Sequence, residues 1–231
     1  MNDDANQPEA LVNPLPAVVV VLALALGAIE LVLQAGEAGL IGGPQAVGWR
    51  AGLIERFGFN GPLLGQMLDR GVWQADILWR FVTYPFIHGT ATHAIISIVF
   101  LLAMGKVVGE VFGTLATLAV YFAASALGAL AFFLFTDSAI WIIGGLPGAY
   151  GLIGGYSFLL WVGLGAAQEN QLRAFTLIAF LMGIQLFFGL IFGGGLDWVA
   201  DLGGFVAGFV LSFLVSPGGW GRVLDRLRQR R

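Results

Sequence analysis

Polar and charged residues are spaced along this chain so that six long apolar runs remain between them. A spanning helix needs about 20 consecutive, mostly apolar residues to cross the hydrocarbon core. The runs at about 15–34, 90–111, 112–135, 147–165, 174–195 and 197–215 meet that length. The third is free of charge. The first carries Glu30 near its far end, the second His93, Lys106 and Glu110, and the last Asp201. Ahead of the fourth run, the residues from Ser138 predict an irregular or re-entrant lead-in to a helix beginning near Pro147. The pattern predicts an all-α, polytopic membrane protein. It has six transmembrane helices over 15–216 and one long extramembrane loop, 35–89, between the first two.

Composition agrees with the pattern. Hydrophobic residues make up 58% and charged residues 11%, against about 25% charge in an ordinary soluble domain. The absence of Cys excludes disulfide frameworks, thiolate zinc sites and a cysteine nucleophile. A net charge of −3 leaves no basic footprint for nucleic acid. The N-terminal segment 1–14 is polar and acidic and lacks the basic region of a cleaved secretory signal. In the tail, 217–231, five Arg read as cytoplasmic by the positive-inside rule, and six spans then put the N-terminus on the same side. Seven of the eleven Lys and Arg fall inside under this topology, while Arg50, Arg56, Arg70 and Arg80 fall in the first loop. The orientation points to a bacterial-type inner membrane. Trp49, Trp73 and Trp79, with Arg neighbours, predict that the loop lies as short helices in the outer headgroup region.

Small residues let membrane helices approach closely, and two spans carry a small stripe. Gly148, Gly151 and Gly155 recur in the fourth, and Gly204 and Gly208 form a GxxxG in the sixth. Packing these stripes together brings positions 147 and 201 to the outer end of one seam, where Pro147 and Asp201 stand.

The strings WRFVTYPFIHG (Trp79–Gly89), GLPGAYGLIGGY (Gly145–Tyr156) and DLGGFVAG (Asp201–Gly208) occur in this order. Together with the topology they resemble the rhomboid family of intramembrane serine proteases, from about Trp79 to Val215. Trp79 and Arg80 resemble the family's Trp-Arg element, and His88 and His93 its His pair. The resemblance implies a six-helix fold with a lateral opening beside the fifth span, which here carries Thr176, Phe180 and Phe187. Client transmembrane segments would be recognised there, in the bilayer and without a cofactor.

The departures from the family fall on its chemistry. The nucleophile position of G-x-S-G is Pro147, the general-base position is Asp201, and the oxyanion Asn is Ser97; His93 keeps the second oxyanion position. Proline has no hydroxyl with which to attack a carbonyl. It fits the first turn of a helix, where its missing N–H costs nothing. The resemblance therefore implies a pseudoprotease that binds client segments and has no catalytic residues. Two other readings stay open: a rhomboid-type endopeptidase with a non-standard nucleophile, and a small transporter or proton relay around Asp201 and His93. Ser97 stands beside His93, whereas Ser138 and Ser157 flank the fourth span on no evident sharp turn.

A carboxylate inside a span is a functional-site hypothesis by default. The structural alternative for Asp201 is solvation, or a hydrogen bond from a backbone donor or His93. Glu30 is expected to be solvated at the outer interface, His88 to be interfacial, and Gln185 to join helices. His88, His93, Asp197 and Asp201 match no metal spacing, so no metal is expected, and Asp197 reads as a cap for the last helix. Client identity and oligomeric state are not encoded in any motif.

Overall fold

In hydrocarbon a backbone polar group has no water to bond, so an apolar run that crosses a bilayer must satisfy itself as a helix. In the computed structural model, which describes residues 14–216 and Gly218, six helices are long and apolar enough to do so. They are α1 (Ala17–Glu37), α5 (Ala91–Phe112), α6 (Thr114–Phe135), α7 (Leu146–Ala166), α8 (Thr176–Phe192, extended backwards by a 3-10 turn from Gln171) and α9 (Trp198–Val215). The fold is thus a six-helix membrane bundle. Most of the acidic N-terminal segment and of the Arg-rich tail, on which the orientation argument rests, lie outside the described residues.

The loop after α1 is built, not slack. It holds a 3-10 turn at Gly43–Gly48, then α2 (Trp49–Phe57), β1 (Phe59–Asn60), α3 (Gly61–Arg70) and α4 (Ala75–Thr83). Asn60 starts α3 by accepting a hydrogen bond from Leu63 N–H at 3.2 Å, and Pro62 occupies the first turn. The same Asn60 donates its amide to Ala139 O at 3.0 Å. β1 pairs antiparallel with β2 (Trp141–Ile142), Phe59 opposite Ile142. The lead-in to α7 is therefore a short strand stitched to the first loop.

That stitching also corrects the surface reading of the loop's arginines. Trp79 and Trp73 are exposed, but Arg80 and Arg50 turn inward and are buried. Arg80 donates Nη1 to Glu55 O at 2.7 Å and Gly58 O at 2.8 Å, and its guanidinium lies 5.4 Å from the Trp141 ring. Burial lowers its pKa from the ordinary guanidinium value. Arg80 thus closes the α2–β1 corner over the lead-in strand.

α7 is the central helix. Half of its apolar window is buried inside the bundle, against 11% for α8 and 33–39% for the other four. Apolar composition alone does not distinguish burial in protein from exposure to lipid, so it is this burial that marks α7 as the centre. Its small residues face three neighbours. A Cβ built on Gly148 would lie 2.6 Å from Ser125 Oγ of α6, and one on Gly155 would lie 3.3 Å from Val108 of α5 and 3.4 Å from Ser212 of α9. Gly148 therefore packs on α6, not on the last span. The stripe facing α9 is Pro147, Gly151 and Gly154, against Gly204, Phe205 and Gly208.

Candidate functional site

The candidate site lies where α5, the 136–145 segment, α7 and α9 begin or end on one side of the bundle. Thr90 caps α5 by accepting a hydrogen bond from His93 N–H at 3.2 Å, which fixes His93 in the first turn. Gly144 adopts φ +87°, and a Cβ there would sit 2.5 Å from His93 Cε1. Only glycine satisfies both the left-handed backbone and that approach. Gly144 N–H is held by Tyr84 O at 3.0 Å, and the Tyr84 hydroxyl donates to Ser125 O at 2.7 Å. Burial raises the Tyr84 pKa well above its ordinary value, so it remains a donor.

α7 then opens with Leu146 and Pro147 in its first turn, after Gly145. Pro147, His93, Asp197 and Asp201 line one cavity of about 240 Å³, closed by Ile140, Trp141, Ile142, Ile143, Leu146 and Ala200. Positions 147 and 201 thus share a wall. Ser97 lies one turn further along α5, buried, with an Oγ that has no hydrogen-bond partner. It is not among the residues lining the cavity.

Asp201 is 3% exposed. Its partner is neither His93 nor a backbone donor. Gln185 of α8 donates Nε2 to Asp201 Oδ2 at 2.9 Å, and Tyr150 of α7 donates its hydroxyl to Gln185 Oε1 at 3.3 Å. A polar chain therefore joins α7, α8 and α9. Its advance signs in the sequence were Asp201, a carboxylate inside the last span, and Gln185, a lone amide in the middle of an otherwise apolar one. Asp197 sits at the α9 N-cap position without a side-chain capping bond.

His88 is fully buried, not interfacial. Its Nε2 accepts from Gly145 N–H at 3.3 Å, its carbonyl accepts from Arg50 Nη1 at 2.6 Å, and its ring meets the His93 ring edge-on at 5.2 Å. Burial, then the neighbouring His93, pushes the His88 imidazole down to about 4. The group is neutral when folded, so stability is full above the unfolded value near 6.5 and is lost as pH falls toward 4. The linked loss is about 3 kcal/mol at the bottom of that window. Unfolding midpoints of the detergent-solubilised chain between pH 7 and 4 are expected to show this fall. His88→Gln, which keeps an acceptor for Gly145 but does not titrate, is expected to flatten it.

Glu30 is also buried rather than solvated, and Arg50 is its reason. Arg50 donates Nη2 and Nη1 to Glu30 Oε1 and Oε2, both at 2.9 Å, and Nε to Glu37 Oε1 at 2.6 Å. These carboxylates hold the guanidinium pKa above its ordinary value, the Glu30 bonds most strongly. Glu30, Gln34 and Glu37 recur at helical spacing on one face of α1, and that row was the sequence signal for a buried cation.

Comparison with known proteins agrees with this geometry. A family model described as a Rhomboid domain matches residues 75–218. Rhomboid-like protease 3 of Toxoplasma gondii is 31% identical over 134 residues, 58% of this chain and 50% of that protein. RHOMBOID-like protein 4 of Arabidopsis thaliana is 27% identical over 190 residues, 74% of this chain and 46% of that protein. The chain spans about half the length of the curated relatives it matches. With a family match across more than half of its residues and a six-helix membrane bundle, the chain belongs to the rhomboid family.

Proposed function

We propose that this chain is a rhomboid pseudoprotease that binds transmembrane segments of client proteins. The observation that carries the reading is the cavity wall. At the family's nucleophile position it presents Pro147, and at the base position it presents Asp201, whose Oδ2 is engaged by Gln185. A carboxylate beside a proline has no hydroxyl to deprotonate. The bundle around the cavity is intact, and α8 exposes Phe180, Phe187, Phe188 and Phe192 along a span that is only lightly packed. Such a face is suited to contact with another apolar helix. The proposed orientation has both termini in the cytoplasm of a bacterial-type inner membrane, argued from the distribution of basic residues.

A second reading, a working endopeptidase with a displaced nucleophile, is favoured by one feature: the buried, unpartnered hydroxyl of Ser97 one turn from His93. A serine-directed fluorophosphonate separates the two. The native chain in membranes is expected to take no label and to leave a generic rhomboid substrate intact. Pro147→Ser with Asp201→His is expected to gain both labelling and cleavage. Cleavage by the native chain at a rate the double variant does not raise overturns the pseudoprotease reading, and loss of that activity in Ser97→Ala would locate the nucleophile.

A further inference from the structure

Two hollows meet at the junction of α8 and α9. One is the 240 Å³ cavity, whose wall includes Asp197 and Asp201. The other is a groove of about 590 Å³ between the C-terminal half of α8 and the start of α9, whose lining includes Gln185, Phe188, Asp197 and Trp198. Asp197 lines both, and the Gln185–Asp201 hydrogen bond runs from the groove residue to the cavity residue. The bond therefore links a wall of one hollow to a wall of the other.

Three properties of this junction specify an occupant. First, Asp201 is an acceptor with room to spare. A carboxyl group keeps acceptor sites beyond one whether or not it is protonated, and Gln185 supplies one hydrogen bond among the described residues. Second, neither hollow is lined by Lys or Arg, while both include a carboxylate, so the wall favours a hydrogen-bond donor over an acceptor. Third, the present donor is carried by the span with the least support. Only Ile178 and Met182 of α8 are buried, both on the turns before Gln185. Beyond Gln185 the helix exposes Leu186, Phe187, Phe188, Leu190, Ile191 and Phe192. Displacing Gln185 from Asp201 disturbs little packing.

We infer that Asp201 is a recognition site for a hydrogen-bond-donating side chain on a client transmembrane segment, and that Gln185 occupies it until the client arrives. The inference rests on the proposed client-binding function and gives it a chemical preference. The occupant is an apolar helix carrying an amide side chain at the depth of the first turn of α9, near one end of the bundle. It lies in the α8–α9 groove with its aliphatic face on Leu186, Phe188 and Leu196, and its donor reaches the carboxylate. Asp201 would then have a role that the loss of proteolysis does not remove. Tyr150 would be left holding the released Gln185 amide through its carbonyl, which keeps both groups paired in the open state.

The test uses the full chain in lipid nanodiscs and two synthetic Leu-rich spanning helices that differ at one position a turn inside the helix end, at the depth of Asp201, Leu in one and Asn in the other. Retention of each helix on immobilised chain is measured. The native chain is expected to retain the Asn helix about threefold better, the factor that an average interhelical hydrogen bond in a bilayer supplies. Asp201→Leu is expected to reduce that preference to within twofold, and Gln185→Leu, which removes the resident donor, to raise retention of the Asn helix severalfold. Equal retention of both helices by the native chain overturns the recognition site while leaving client binding in place. Retention of neither overturns both. Where Asp201→Leu fails to fold, Gln185→Leu decides, and unchanged or weaker retention of the Asn helix overturns the inference.

Discussion

Arg50→Leu is expected to destabilise the chain by about 3–5 kcal/mol, the usual consequence of removing one member of a buried ion pair. The size follows from what is left behind. Glu30 is 7% exposed and receives two of its three hydrogen bonds from this guanidinium. Without Arg50 only Gln34 Nε2, at 2.9 Å, still bonds to it. Glu37 is more exposed and recovers water, so its share of the loss is small. A second consequence reaches the candidate site, because Arg50 Nη1 also holds His88 O, and His88 Nε2 receives Gly145 N–H at the head of α7. Adding Glu30→Gln to Arg50→Leu removes the stranded charge and is expected to recover about half of the loss. Midpoints read from tryptophan fluorescence in detergent check both. A single-variant midpoint equal to the native one would mean that Glu30 is solvated after all.

The Arg50 cluster also shows where the sequence ceased to be legible. Spans could be read because length and hydropathy alone decide them in a bilayer, and the sixfold pattern is the observed one. Buried polar partners are decided by three-dimensional proximity, which no periodicity encodes. Glu30 and Arg50 are 20 residues apart, Gln185 and Asp201 16, and His88 and Gly145 57. Each member looked solvated, or ascribable to a wrong neighbour, because its partner arrives from another element. The pairing of β1 with β2 was hidden for a different reason: two residues per strand are too few for an alternating pattern to register. Glycines were legible as a class but not by face. Three helix neighbours, α5, α6 and α9, surround α7, so Gly148, Gly151, Gly154 and Gly155 are divided among them, and GxxxG spacing alone does not say which helix each one meets.

Where face does matter, one chemical change has opposite signs on α7 and α9. Gly208→Ala is expected to cost at least about 3 kcal/mol, the upper end of overpacking penalties. A Cβ there would overlap the Gly151 carbonyl and lie 2.6 Å from Gly151 Cα. The obstruction is backbone, so no side chain can rotate away, and α9 must move bodily off α7. Gly204 is set against the Pro147 carbonyl in the same way, and Gly154 against Phe205 O and Phe209 N, so the two helices touch backbone to backbone along their length. In Gly163→Ala, on the same α7 but with nothing within 4 Å of the added methyl, the lower backbone entropy of alanine dominates. That variant is expected to gain up to about 1 kcal/mol. Opposite shifts in unfolding midpoint from the two substitutions establish that contact at the stripe, not helix propensity, sets the α7–α9 distance. Shifts of the same sign would exclude it. The distance has a functional consequence, because Pro147 and Asp201 line the cavity from these two helices. An α9 pushed off α7 by Gly208→Ala carries Asp201 away from Pro147, so the glycine stripe sets the width of the cavity that the two positions share.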